Sequence, residues 1–348
     1  MPGKLLYQLS YRPKTRGTRT PDLPIKSGNR NMPARNGTTV QQRHRMNGRV
    51  SFGGRLAATI VSRPGVEAQD GDTGRVSTFE NPHSTPDHQR LAEGGEILRV
   101  LVGSGVHGTA IDGQDDRDEM GICIEPPEYV CGLDTFEQYI FRTQPEGHRS
   151  GPGDVDLTIY SARKWMRLAV QGNPTVLLPL FVSDGDVIVR TALGDELRSL
   201  APSILSRRAG ERFKGYLQSQ RERLLGVRGG KHTNRPELTE IYGFDTKYAM
   251  HMVRLGVQGV ELLETGSISL PIREPWLTWL RDLRQGRNSR TDALEAAAEL
   301  EARIDALLDT SPLPADPDLK KVNSWLVSAH LRTWGDAGDA QLGPGQSG

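Results

Sequence analysis

The stretch that most constrains this chain is residues 97–124, Ile-Leu-Arg-Val-Leu-Val-Gly-Ser-Gly-Val-His-Gly-Thr-Ala-Ile-Asp-Gly-Gln-Asp-Asp-Arg-Asp-Glu-Met-Gly-Ile-Cys-Ile. Its apolar run, Ile97–Val102, stops at Gly103-Ser104, as a buried strand does when it opens into a tight loop. Gly103, Gly105 and Gly108 let the backbone turn where side chains would clash. An acidic cluster follows, Asp115, Asp116 and Asp118, and Gly121-Ile122-Cys123-Ile124 closes the unit as a second strand. In an extended strand Asp116 and Asp118 point the same way. Two carboxylates on one face, beside a Gly-Ser loop with free backbone N–H groups, suit a divalent metal carrying a phosphate chain. Taken alone, Asp115-Asp116-Arg117-Asp118 also reads as a solvated acidic turn.

Two later motifs weigh against that plainer reading. One is Asp156-Leu157-Thr158-Ile159-Tyr160-Ser161, running into Arg163-Lys164-Trp165 and ending at Gly172-Asn173-Pro174. The other is Tyr242-Gly243-Phe244-Asp245-Thr246-Lys247-Tyr248-Ala249, running through His251 and Arg254 to Leu262-Leu263-Glu264-Thr265-Gly266. With the Gly-Ser loop and Asp-x-Asp, these resemble the signature of the DNA polymerase β-like nucleotidyltransferases. The similarity is to a predicted bacterial and phage branch that includes proteins associated with RNA repair, and it covers roughly residues 95–330.

The resemblance implies an α+β fold: a small mixed sheet with helices, followed by a mainly helical C-terminal domain. It implies Mg²⁺-dependent transfer of a nucleoside monophosphate from an NTP, ATP being the first candidate, to an acceptor hydroxyl. The acceptor stays open among an RNA end, a protein side chain and a small molecule. Nucleotidyl transfer needs an in-line displacement held by two ions, Mg²⁺ or alternatively Mn²⁺, and carboxylates to hold the ions. Asp116, Asp118 and Asp156 are the expected metal-holding and catalytic residues. Gly103, Ser104 and Gly105 are expected on the β- and γ-phosphates. Lys247, His251 and Arg254, at i, i+4 and i+7 of one helix, form a basic stripe expected to bind the nucleotide. A solvated basic face is the other reading of that stripe, and a non-catalytic nucleotide- or nucleic-acid-binding module is the other reading of the whole.

Two departures stand out. The spacer from Ala110 to Asp116 is one residue longer than the resemblance leads one to expect, which makes Asp115 an alternative ligand. After Asn173-Pro174 the family usually continues Leu-Glu-Leu-Leu, where this chain has Leu177-Leu178-Pro179-Leu180.

Composition bounds the rest. The chain has 348 residues and a net charge of +1, so its total charge gives no argument for nucleic acid as an obligate partner. Residues 1–50, however, carry eleven Lys and Arg against one acid, Asp22. Residues 1–93 lack sustained periodicity and are expected as a disordered basic leader, the alternative being a start assigned too early, with Met46 or a later residue as the true one. No apolar run approaches twenty residues, so no membrane span is expected. The two cysteines, Cys123 and Cys131, form neither a disulfide framework nor a zinc pattern, and a reducing cytoplasm is the expected setting. There is no Gly-x-x-x-x-Gly-Lys-Ser/Thr loop.

The expected domains are 94–183, catalytic, and 184–335, helical, with a flexible tail over 336–348. A strand is expected over Asp154–Tyr160, then a helix Ala162–Gln171 capped by Ser161. Helices are expected over Ile204–Leu225, Asp245–Thr265 and Thr291–Leu308.

Overall fold

The computed structural model describes residues 81–341, except 112, 114, 146–147 and 228–234, with backbone only for 336–341. Helix α1 (Pro86–Gly94) leads into β1 (Glu96–Val102), the short α2 (Gly103–His107) and β2 (Arg117–Cys123). The turn α3 (Pro127–Val130), β3 (Gln138–Arg142), β4 (Val155–Ser161) and α4 (Ala162–Ala169) follow, then β5 (Val187–Arg190). The remainder is helical: α5 (Ala192–Ser199), α6 (Ala201–Ile204), α7 (Arg207–Leu224), α8 (Pro236–Tyr242), α9 (Thr246–Thr265), α10 (Trp276–Arg284), α11 (Arg290–Thr310) and α12 (Leu319–Gln341). This is the expected α+β architecture. Among the described residues no helix is long and apolar enough to cross a membrane.

The five strands lie in the order β3-β4-β2-β1-β5, and only β2 and β4 run parallel. Strand alternation gives the sheet two apolar faces. On one, Cys123, Leu157, Ile159, Tyr139 and Phe136 pack under Ala92 of α1. On the other, Leu98, Val100, Met120 and Ile122 join a cluster that continues through Trp165 into Phe213, Met250 and Met252. Helix α9 occupies the middle of the helical region. Asp245 caps its start by accepting from Tyr248 N (3.0 Å), and Gly266, with φ 71°, ends it. Its glycines allow close approach: a Cβ on Gly256 would lie 2.8 Å from Leu300 Cβ, and one on Gly259 2.9 Å from Phe213 Cβ.

Several boundaries differ from those expected. Residues 81–93 are ordered, because Thr85 accepts from His88 N (3.2 Å) to start α1 and Ala92 is fully buried. That helix offers one fully buried residue in nine, too faint a stripe for a periodicity argument. The chain before it is tied to the edge of the sheet: Ile140 N donates to His83 O (3.0 Å) and Ser84 Oγ to Ile140 O (2.8 Å). The expected leader otherwise, residues 1–80, lies outside the described residues. The helix expected over Ile204–Leu225 is broken at Leu205-Ser206, which are extended, and Arg207 N turns instead to Pro314 O (2.8 Å). The sheet does not end by residue 183, since β5 pairs with β1 beyond it. Helix α12 runs to Gln341, into the expected tail; a glycine costs a helix only about 1 kcal/mol, too little to stop one already propagating.

The shared cluster makes a prediction. Phe213→Ala should lower stability by about 3–5 kcal/mol in urea denaturation, in one transition. A loss below about 1 kcal/mol, or two separated transitions, would contradict a core common to sheet and helices.

Candidate active site

Strand register assembles the acids. Asp118 of β2 is the Cα partner of Val102, the last residue of β1, and also of Asp156 in β4. The Gly-Ser segment therefore starts beside Asp118, and Asp156 lies next to it across the parallel pair. Gly103 turns the chain with φ 77°, and a Cβ there would collide with the Asp118 carboxylate. The segment is not the tight loop expected but the short helix α2, closed by Gly108 N donating to Gly105 O (2.9 Å) and Thr109 N to Ser104 O (2.9 Å). Its first amides, as in any helix, have no intrahelical acceptor.

One oxygen from each of Asp116, Asp118 and Asp156 lies within 4.8 Å of the others. Burial, then the charges of Asp116 and Asp156, push the Asp118 carboxyl up to about 6, while Lys247 pulls it the other way. Asp156 is fixed by Ser150 Oγ (2.6 Å to Oδ2) and Gln144 Nε2 (2.8 Å to Oδ1), with Arg142 Nε at 3.5 Å. Asp115, the alternative ligand, is turned away: its Oδ1 accepts from Arg284 Nη2 (2.6 Å) and its Oδ2 from Ile111 N (2.5 Å).

Helix α9 carries a group rich in hydrogen-bond donors, of which Lys247 interacts with the acids. Lys247 is partly buried, and its ammonium is lowered by burial and by Arg284 and Arg235, against the pull of Asp116 and Asp115. Further along α9, Arg254 Nη1 meets His107 Nε2 (2.9 Å) and Gln258 Oε1 (2.8 Å), and Nη2 meets His251 Nδ1 (3.5 Å). Gln258 Nε2 faces His107 Nδ1 (3.2 Å). Burial brings Arg254 down to about 10, and burial together with the neighbouring cations drives His251 well below its ordinary value. His107 is lowered in the same way. Among the described residues Lys247 and Arg254 have no carboxylate in salt-bridge contact, and Arg254 Nε is buried without a partner. Two neutral imidazoles and one amide oxygen are few acceptors for a guanidinium, an ammonium and an amide NH₂. Such a cluster is left short of acceptors, the condition an anionic ligand relieves.

Of the residues expected from sequence, the structure thus gathers Gly103, Asp116, Asp118 and Asp156 in one place, with Ser104 and Gly105 on α2. Lys247 interacts electrostatically with the acids, whereas Arg254 turns toward His107 and His251. Gln258 was legible, being i+4 from Arg254 on the same stripe. Ser150, Gln144 and Arg284 carried no such signal.

Residues 89–328 match the family described as "RlaP: RNA repair pathway DNA polymerase beta family", and the chain belongs to it. The class is polymerase β-like nucleotidyltransferase, which implies a nucleotide substrate. Among solved structures the chain is similar to a nucleotidyltransferase-like protein from Exiguobacterium sibiricum 255-15. That similarity has 11% identity and a TM-score of 0.25 over 64% of this chain and 71% of that one. No curated protein matches.

The raised Asp118 carboxyl makes the metal-free fold pH-sensitive. Between the ordinary carboxylate value of about 4 and about 6, the folded state holds the proton more tightly than the unfolded state. Stability from this group is therefore present at low pH and lost as pH rises through about 6. In EDTA, Asp118→Asn should melt above wild type at about pH 7.5, with the gap closing toward about pH 4. Thermal melts across this range check it, and a pH-independent gap contradicts it.

Proposed function

We propose that this protein is a divalent-metal-dependent nucleotidyltransferase that moves a nucleoside monophosphate from an NTP, ATP being the first candidate, to an acceptor hydroxyl. The observation that carries this reading is the convergence of three carboxylates, two of which interact electrostatically with Lys247 of α9, the helix that further along carries a cationic, acceptor-poor cluster. Each half lacks what the other end of a metal–triphosphate would supply.

The donor set fits the metal: oxygen ligands only, mutually close, and one of them raised to about 6 by burial and then by the charges of its neighbours, both of which a bound cation offsets. Asp116, Asp118 and Asp156 would hold Mg²⁺ or Mn²⁺. When bound, a pair of such ions stabilises charge on the attacking and leaving oxygens and acidifies the acceptor hydroxyl. Ser104 and the leading amides of α2, with Lys247, His251 and Arg254, bind the triphosphate. Gly103 keeps the Asp118 carboxylate against that turn, so phosphate and acids share one origin. Ser150 and Gln144 hold the Asp156 carboxylate in the orientation needed to receive the acceptor's proton. The family's description, RNA repair, makes an RNA end the first acceptor to try.

Labelled NTPs with Mg²⁺ or Mn²⁺, offered RNA, protein and small-molecule acceptors, test the reading directly. Transfer should fall about a thousandfold or more in Asp118→Ala, several kcal/mol of charge stabilisation at 1.36 kcal/mol per tenfold. Near-wild-type transfer by folded Asp118→Ala, or nucleotide binding without transfer to any acceptor class, would overturn it. Separately, calorimetry of Mg·NTP binding should show Arg254→Ala weakened about tenfold or more, with Arg254→Lys recovering only part because it lacks the planar fork. Equal affinities across the three would remove α9 from the site.

A further inference from the structure

The three acids are not held alike. Asp118 and Asp156 sit within paired strands, but Asp116 precedes β2, whose ladder begins at Arg117. What fixes the chain on the other side of Asp116 is its neighbour, Asp115. That carboxylate forms an ion pair with Arg284 of α10 (2.6 Å) and accepts from Ile111 N (2.5 Å). Both partners of the pair are only 8% exposed. One helical turn earlier, Arg281 Nε donates to Gly108 O (2.7 Å), where α2 ends. Gly108 is also backed by Pro271 and Leu277, and Ile272 N donates to His107 O (3.2 Å). The connection between the Gly-Ser turn and the acids is therefore fastened at both ends to one helix, some 170 residues further along the chain.

We infer that the Asp115–Arg284 ion pair is the positioning device for Asp116, so that Arg284 sets the metal affinity of the site without touching the metal. The inference rests on the metal-site reading above. A buried carboxylate bound at both oxygens has no freedom to swing, and the peptide joining it to Asp116 passes that restraint on. Release Asp115, and Asp116 keeps only its link to Arg117 while facing repulsion from Asp118 and Asp156.

The test is Mn²⁺ binding to the full chain, followed by electron paramagnetic resonance, with thermal melts as the check on folding. Partners outside the ligand shell commonly change metal affinity 10- to 100-fold, so Asp115→Asn and Arg284→Gln should each weaken Mn²⁺ about tenfold or more. Arg284→Lys, which keeps the charge on Asp115 but loses the fork, should recover part of the loss. A role confined to packing would lower the melting temperature and leave Mn²⁺ affinity within about twofold of wild type in folded Asp115→Asn and Arg284→Lys, and that result overturns the inference. Should Arg284→Gln fail to fold, those two variants still decide. Absence of Mn²⁺ binding in wild type would instead overturn the metal reading, and the inference with it.

Discussion

The acids of the site depend on one register position. Because Asp118 faces Val102 on one side and Asp156 on the other, two independent strand pairings must both be correct before the acids and the Gly-Ser turn meet. A slip of one residue in either would send a carboxylate to the opposite face, where Cys123, Leu157 and Ile159 make an apolar layer. The charges of that face, Glu119 with Arg99 and Arg117, are already paired with one another. The apolar alternation of β2 and β4 thus protects the placement of the acids: the same pattern that buries Met120 and Ile122 toward the helices fixes Asp118 on their side.

The second half of the site is held by helix geometry rather than by register. Helix α9 is close-packed on α7 and α11 through Gly256 and Gly259, and this rigidity lets it carry Lys247 and Arg254 half out of water without acids to neutralise them. Carboxylates crowd on one side and cations on the other, with few direct contacts between them. Had Lys247 reached the acids as a salt bridge, the site would have satisfied itself. Keeping the two charges apart leaves each ready for an outside partner, at some expense in stability.

Local pattern made much of this readable. The strand–Gly-Ser–acid unit, the cap at Ser161 and the stripe on α9 are all set by residues a few positions apart, and the structure has Ser161 accepting from Lys164 N (3.2 Å). What sequence hid was long-range or weakly patterned. Arg284 and Asp115 meet across 169 residues, and no periodicity marks either as a partner. The edge strand Gln138–Arg142 is five residues of mixed character, and Ser150 lies in an irregular loop. The α12 helix stays helical across Gly335 because Val322, Ala329 and His330 are already buried, and His330 Nε2 meets Glu125 (3.0 Å) at the far end of β2.

The backbone contacts of His83 and Ser84 with Ile140 have a consequence for how this protein behaves in company. Strand β3 forms one rim of the sheet, and an open rim templates the addition of strands from other molecules. Here the amide and the carbonyl at the middle of that rim are both occupied by the polypeptide leading into α1. The opposite rim, β5, is four residues long and ends in Arg190, a charge that discourages stacking. A shortened chain that starts at β1 would keep every acid of the site and still lose this cover. It would also bare the apolar face that Ala92 and Leu91 cover, and self-association would be its characteristic failure.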